Sequence, residues 1–179
     1  MSKTNRIKLL CLSGVMAALY VGLDFLAVSV SAPFGNTLKI SLSGLPVILV
    51  SMLGGPLWGA ATGFVGAFIG QLLTYGFSAT TLLWVLPAVL RGFSMGLLFR
   101  WFGKRTTPAV LTLQTVVSSL LVTALNTVVL IIDANIYGYS TAAAVLTAVP
   151  GRIIAGIVTA VIFALMLPTI LQSLKKYFQ

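Results

Sequence analysis

The sequence predicts an all-α integral membrane protein, with six transmembrane helices in one compact bundle and both the N- and C-termini in the cytoplasm. Of its 179 residues, 59% are hydrophobic and only 7% are charged, whereas a soluble domain carries about 25% charged residues. The lysines and arginines also cluster at the two ends of the chain and in the gap at residues 100–108, which a six-span topology places on one side, and such positive segments face the cytoplasm. The lipid bilayer is therefore the first partner that the sequence predicts.

Six apolar segments define the predicted spans, which together form a single domain: residues 9–32, 40–53, 57–73, 80–99, 109–132 and 142–171. The first span is too long for the core of a signal peptide, which covers about 7–15 residues. The second is short for a hydrocarbon core of about 30 Å, so we expect it to be tilted or partly irregular. The third is rich in glycine, which indicates close helix packing.

The basic residues assign an orientation to these spans. One outside loop carries Lys39, while Arg91 and Arg152 lie within spans. The remaining cations all fall in segments that the six-span topology places inside: Lys3, Arg6, Lys8, Arg100, Lys104, Arg105, Lys175 and Lys176. This asymmetry is what the positive-inside rule describes.

Several classes of function are excluded by composition. The chain has one cysteine, Cys11, and no histidine, which rules out an intrachain disulfide, a His/Cys metal site and a Ser-His-Asp triad. Its only acidic residues are Asp24 and Asp133. The net charge of +9 lies at the ends of spans rather than in a soluble basic domain, so no nucleic-acid partner is expected. We predict neither an enzyme nor a resident cofactor or metal.

Buried cations are the strongest functional signal. Arg91 lies in the fourth span and Arg152 in the sixth, and an arginine within a bilayer costs a few kcal/mol unless it faces protein, a polar cavity or a ligand. Internal salt bridges to the two aspartates are one interpretation. With Lys39, however, three cations face two acids, and the excess suits an anionic ligand because arginine binds carboxylates bidentately.

Aromatic and polar residues gather at the same outer end of the bundle: Trp84, Phe77, Tyr75, Tyr137, Tyr139, Asn126 and Asp133. Aromatic residues at a membrane interface commonly form a belt. Beside buried arginines they could also cover the faces of a flat ring, while the amide and the carboxylate could bond to its edge. These residues predict a site for a small anionic, partly aromatic solute taken from outside.

Small residues line one side of the first span, at Ser13, Gly14, Ala17 and Ala18. Faces of this kind let another helix approach closely. Packing within the chain and docking of a partner protein both fit the pattern.

Four segments together resemble a known family: SGVMAALYVG at 13–22, SLSGLPVILVSMLGGPLWGAATGFVGAFIGQLL at 41–73, LPAVLRGFSMGLLF at 86–99 and VPGRIIAGIVTAV at 149–161. In this order and spacing they are similar to the S components of energy-coupling factor (ECF) transporters, which are small six-helix vitamin-binding membrane proteins. The LPAVLRG and PGRIIAG elements are most similar to those of folate-specific S components.

The resemblance implies a bacterial plasma membrane protein that binds folate or a related vitamin from outside. It further implies docking, through the small-residue face, on a transmembrane coupling subunit driven by two cytoplasmic ATPases. The outer loops 33–43 and 74–79 would close over the ligand. Two alternatives remain: an S component for another vitamin, such as thiamin or riboflavin, and a structural membrane protein whose arginines are paired.

Overall fold

A helical bundle makes up most of the chain, as seen in a computed structural model that describes residues 3–31 and 37–175. Its helices are α1 (Lys3–Phe25), α2 (Gly44–Gly54), α3 (Pro56–Tyr75), α4 (Thr81–Trp101), α5 (Pro108–Tyr137), α6 (Ala142–Thr147) and α7 (Val149–Lys175). Between α1 and α2 lie two short strands, β1 (Val28–Ser31) and β2 (Thr37–Ile40), which pair antiparallel.

The predicted fold class is confirmed. Five of the described helices, α1, α3, α4, α5 and α7, are long and apolar enough to cross a membrane, and α2 is a shorter apolar helix. The strands form a hairpin between α1 and α2, with β2 in contact with α7, and the bundle itself consists of helices.

Several span boundaries differ from the sequence prediction, and two of the differences interrupt a predicted span. The first helix ends at Phe25 instead of continuing to residue 32, because residues 28–31 pair with β2. The last predicted span is divided at Ala148 into α6 and α7. Pro150 explains this break, since proline has no N–H to continue the hydrogen bonds of the preceding helix and is favoured in the first turn of a helix.

The short helix α2 lies at the centre of the bundle. Nine of its eleven residues are buried, and it contacts α1, α3, α4 and α7. Leu45, Ile48, Leu49 and Met52 pack into the main apolar core with residues of α4, α5 and α7. Its neighbours thus cover a helix that is too short to span the bilayer alone.

Glycine brings α3 and α4 into close contact, as the glycine-rich sequence predicted. A Cβ atom at Gly63 would lie 2.8 Å from the carbonyl carbon of Ala88. At Gly92 a Cβ atom would collide with the backbone of Gly59. No larger residue fits at these crossings, so the backbones of the two helices touch directly.

Candidate ligand-binding cavity

A cavity of about 850 Å³ opens at one end of the bundle. This volume falls within the range of roughly 300–1,000 Å³ that is typical of small-molecule sites. Helices α1, α3, α4, α5 and α7 form its walls, and residues 41–44 before and at the start of α2 complete them. The N-terminal half of α4 supplies one continuous face, composed of Trp84, Pro87, Ala88 and Arg91.

Arg91 lies on the cavity wall, where its side chain packs against α2 and α7. Its side chain passes the first residue of α2, where a Cβ atom on Gly44 would lie 2.8 Å from Cδ and 3.0 Å from Nε of the arginine. Its guanidinium carbon is 5.8 Å from the centre of the buried Phe163 ring of α7. This distance permits a cation–π contact. Glycine on one side and an aromatic face on the other therefore hold the guanidinium in place.

Arg152 reaches the same cavity from the first turns of α7. Among the described residues, neither Arg152 nor Arg91 forms an ion pair with a carboxylate. The two aspartates, which also line the cavity, are engaged by hydroxyl groups. The interpretation of the arginines as internal salt-bridge partners therefore finds no support in the described part of the chain.

Each aspartate accepts hydrogen bonds from a separate set of hydroxyl groups. Asp24 Oδ1 is 3.4 Å from both Ser41 Oγ and Ser43 Oγ, which donate to it. Asp133 Oδ2 accepts from the Tyr139 hydroxyl at 2.7 Å. Burial and this carboxylate raise the pKa of Tyr139 to about 12, so the phenol remains a donor at physiological pH.

Most of the predicted substrate-binding residues come together in the cavity: Arg91, Arg152, Trp84, Tyr75, Asn126, Asp133 and Tyr137. Tyr139 does not line it and acts through its bond to Asp133. Phe77 is 77% exposed and lies outside the cavity wall. Lys39 belongs to β2, but its side chain is outside the described residues, as is part of the predicted gate at 33–43.

Sequence reasoning missed several polar residues of the wall. Tyr20 of α1 lies beside Asp24, Arg91 and Ser43 and lines the cavity with them. On α5, Ser119 and Thr123 lie on the same face as Asn126. Their spacing of four and three residues is helical, and this polar stripe in an apolar span is the signal that could have identified them.

The small residues of α1 divide between two faces. Ser13 and Ala17 are buried in the bundle, with 9% and 3% of their surface exposed. Gly14 and Ala18 are exposed, and a Cβ atom at Gly14 or Gly22 would meet no other atom within 4 Å. Within the predicted docking set, only Gly14 and Ala18 lie on the open surface.

Comparison with known proteins assigns the chain to a family. The family described as "ECF-type riboflavin transporter, S component" matches residues 4–174. The chain belongs to this family. S components are substrate-binding subunits of membrane transporters, so the predictions of a multi-pass plasma membrane protein and of a chain that is not an enzyme are confirmed.

A solved structure supports the same assignment. An S component of a bacterial ECF transporter superposes with a TM-score of 0.64 at 25% identity, over 95% of this chain and 99% of that one. UPF0397 proteins of Lactococcus lactis subsp. cremoris are 35% identical over 52% of this chain, and YdcD of subsp. lactis is 37% identical over 59%. The matches cover about half of the length of these relatives, 50% and 53% respectively.

Proposed function

We propose that this S component captures a carboxylate-bearing vitamin of the folate class from outside the cell. The observation that carries the proposal is the pair of arginines on the cavity wall, Arg91 and Arg152, neither of which has a carboxylate partner among the described residues. A cation that is removed from water and not neutralised by the protein favours an anionic ligand.

The remaining lining suits a ligand with a flat polar ring. Folate consists of a pterin, a benzoyl ring and a glutamate with two carboxylates. Trp84 and Tyr137 offer aromatic surface for a ring face. Asn126, Ser119 and Thr123 offer donors and acceptors for a ring edge. The guanidinium groups would bind the glutamate carboxylates bidentately.

Riboflavin is the second candidate, favoured by the description of the matching family. It is a flat, uncharged vitamin, and the hydroxyl and amide groups of α5 could bond to its ring or its chain. It would leave both arginines without an anionic partner. Thiamin, which is cationic, fits the excess of positive charge least well.

Equilibrium binding to the purified protein separates these candidates. We expect labelled folate to bind and an excess of unlabelled riboflavin or thiamin not to displace it. Pteroate, which lacks the glutamate, is the informative analogue: it should bind at least about tenfold more weakly than folate if arginines hold the glutamate, since each lost charged contact is worth more than 1.4 kcal/mol. Tight riboflavin binding with no folate binding would assign the cavity to the second candidate.

We also propose that the exposed small face of α1 docks on the transmembrane coupling subunit of an ECF module with two cytoplasmic ATPases. Gly14 and Ala18 lie on this open surface, where a partner helix can approach closely. Ala18→Trp should abolish uptake in the assembled transporter and leave ligand binding unchanged. Leu19→Trp, an exposed position off the small stripe, is the matched control. Normal uptake by Ala18→Trp would exclude this face as the docking surface.

A further inference from the structure

A second pocket, of about 380 Å³, lies at the end of the bundle opposite the cavity. The cavity is lined by the first residues of α2 and α4, and this pocket by their last residues. Its charged lining consists of Arg100 and Lys104, and its floor includes Gly54 and Gly55. We call it the basic pocket.

Arg100 is held against the end of α2. Its guanidinium lies directly on the α-carbon of Gly55, where a Cβ atom would collide with Nη2. Gly55 also has a φ of +101°, which favours glycine. The carbonyl end of a helix carries a partial negative charge that attracts a cation. The turn after α2 thus holds the guanidinium in place, while the Arg100 side chain as a whole remains exposed.

Lys104 is directed to the same pocket by an unusual turn. Its φ is +58°, and it is the one described non-glycine residue with a positive φ. Gly103 before it has a φ of +66°, and the Lys104 N–H donates to the Phe99 carbonyl at 2.9 Å. This is the bonding pattern that closes a helix by reversing the chain. A lysine seldom adopts this conformation, and here it brings residue 104 to the lining of the same pocket as Arg100.

The basic pocket has no acidic side chain to balance it. The whole sequence contains two acidic residues, Asp24 and Asp133, and both line the cavity at the other end. Compensation for Arg100 and Lys104 must therefore come from another molecule or from solvent ions.

Neighbouring aromatic residues indicate the depth of the basic pocket in the membrane. Trp101 is 83% exposed and Phe102 is 36% exposed, directly between the two cations in sequence. Exposed tryptophan at the end of a transmembrane helix lies at the level of lipid headgroups. The cytoplasmic leaflet, which the distribution of basic residues assigns to this end, carries the anionic lipids.

We infer that the basic pocket binds the phosphodiester headgroup of an anionic phospholipid. The fork of Arg100 would bond the two non-bridging oxygens of the phosphodiester, and the ammonium of Lys104 would donate to one of the same two oxygens. Soluble phosphate offers the same chemistry, but a headgroup is already concentrated at this depth.

Native mass spectrometry of the full-length protein, released from nanodiscs of mixed phosphatidylglycerol and phosphatidylcholine, tests the inference. We expect retained lipid to be enriched in phosphatidylglycerol. Arg100→Gln and Lys104→Gln should each reduce that enrichment about tenfold, because each removes a charged hydrogen bond to the phosphate as well as the general attraction of a basic residue for an anionic leaflet. Arg105→Gln is the matched control, because Arg105 does not line the pocket and its replacement removes the general attraction alone.

Four results would overturn the inference. One is equal retention of the two lipids by the unsubstituted protein. This measurement does not depend on the folding of any variant. Another is an equal loss of enrichment in Arg105→Gln, which would mean general surface charge. The third is full displacement of phosphatidylglycerol by millimolar inorganic phosphate, which would identify a soluble anion as the ligand. If the two variants impair uptake while lipid enrichment is unchanged, the pocket is a protein contact and the inference fails.

Discussion

The two ends of the bundle both carry a pair of arginine or lysine side chains without a carboxylate partner among the described residues, yet their surroundings differ. In the cavity, Arg91 and Arg152 are surrounded by hydroxyl groups, an amide, aromatic rings and two hydrogen-bonded aspartates. In the basic pocket, the residues that line the wall with the two cations are mostly glycine and apolar residues. Charge alone attracts any anion, whereas charge among directional polar groups selects one. The comparison therefore supports the proposals of a selective site at one end and an anchoring site at the other.

The comparison requires that the two ends lie on opposite sides of the membrane, and this is an all-or-none prediction. With the exposed Cys11 replaced by alanine, a cysteine at Ser140 should react with an impermeant maleimide from outside intact cells. A cysteine at Thr106 should react only after the inner face is opened. The reverse pattern would exchange the outer and inner assignments of the cavity and the basic pocket.

Removing an arginine from the cavity should have the next largest effect. Loss of one partner of a desolvated charge pair costs about 2–5 kcal/mol, which is roughly 30-fold or more in affinity. We expect at least this loss in folate binding for Arg91→Ala and Arg152→Ala, measured by titration of the purified protein. Arg105→Ala, outside the cavity, should bind normally. If both cavity variants bind folate normally but are produced in poor yield, these arginines have a structural role instead.

A smaller effect should follow from disturbing the contact between Gly44 and the side chain of Arg91. Gly44→Ala places a Cβ atom 2.8 Å from Cδ of Arg91, and overpacking of this kind costs about 1–3 kcal/mol. The arginine side chain can partly yield, so we expect affinity to fall about tenfold. Gly22→Ala, where a Cβ atom has no neighbour within 4 Å, should leave affinity unchanged. Equal effects of the two variants would show that the position of Arg91 does not depend on Gly44.

The smallest effect concerns Tyr139, which contacts the cavity through Asp133. Tyr139→Phe removes one donor at 2.7 Å, and a hydrogen bond of this kind is worth about 1 kcal/mol, or roughly fivefold in affinity. Because the pKa of Tyr139 is raised from 10.0 to about 12, the phenol is protonated in the folded protein below that value. Its contribution is complete below pH 10 and is lost as the pH rises through 12. Binding measured from pH 6 to 9 should therefore show the same ratio between the two proteins throughout.

Much of the cavity could be predicted from sequence because its charged members are anomalies. Arg91 and Arg152 stand out in apolar spans, and both line the cavity. Tyr20 does not stand out, since a tyrosine in an apolar helix is ordinary and its place beside Arg91 arises from the packing of α1 against other helices. Gln114, a polar residue within the fifth predicted span, is a further residue whose surroundings the sequence does not indicate. Its amide is fully buried and has no partner among the described residues, which depends on packing that no local pattern encodes.

The missed hairpin did leave a local signal. Residues 26–32 are apolar enough to continue a helix, and length and hydropathy alone extended the first span through them. Val28 and Val30, however, alternate with Ser29 and Ser31, and a period of two is typical of a strand. The β-branched valines strengthen that signal. Periodicity was the better guide than hydropathy here, because both helices and strands can be apolar.

The short helix α2 imposes an order on how the protein is made. Its eleven residues measure about 16 Å, roughly half of the hydrocarbon thickness, so the segment cannot settle in the bilayer by itself. The turn at Gly55 and Pro56 joins it to α3, so we expect the two helices to insert together, and α4 and α7 complete the enclosure of α2. Because α7 follows the other helices in the chain and brings Arg152 to the cavity, the cavity is complete only once α7 is in place. An insertion intermediate lacking α7 would therefore leave α2 partly uncovered.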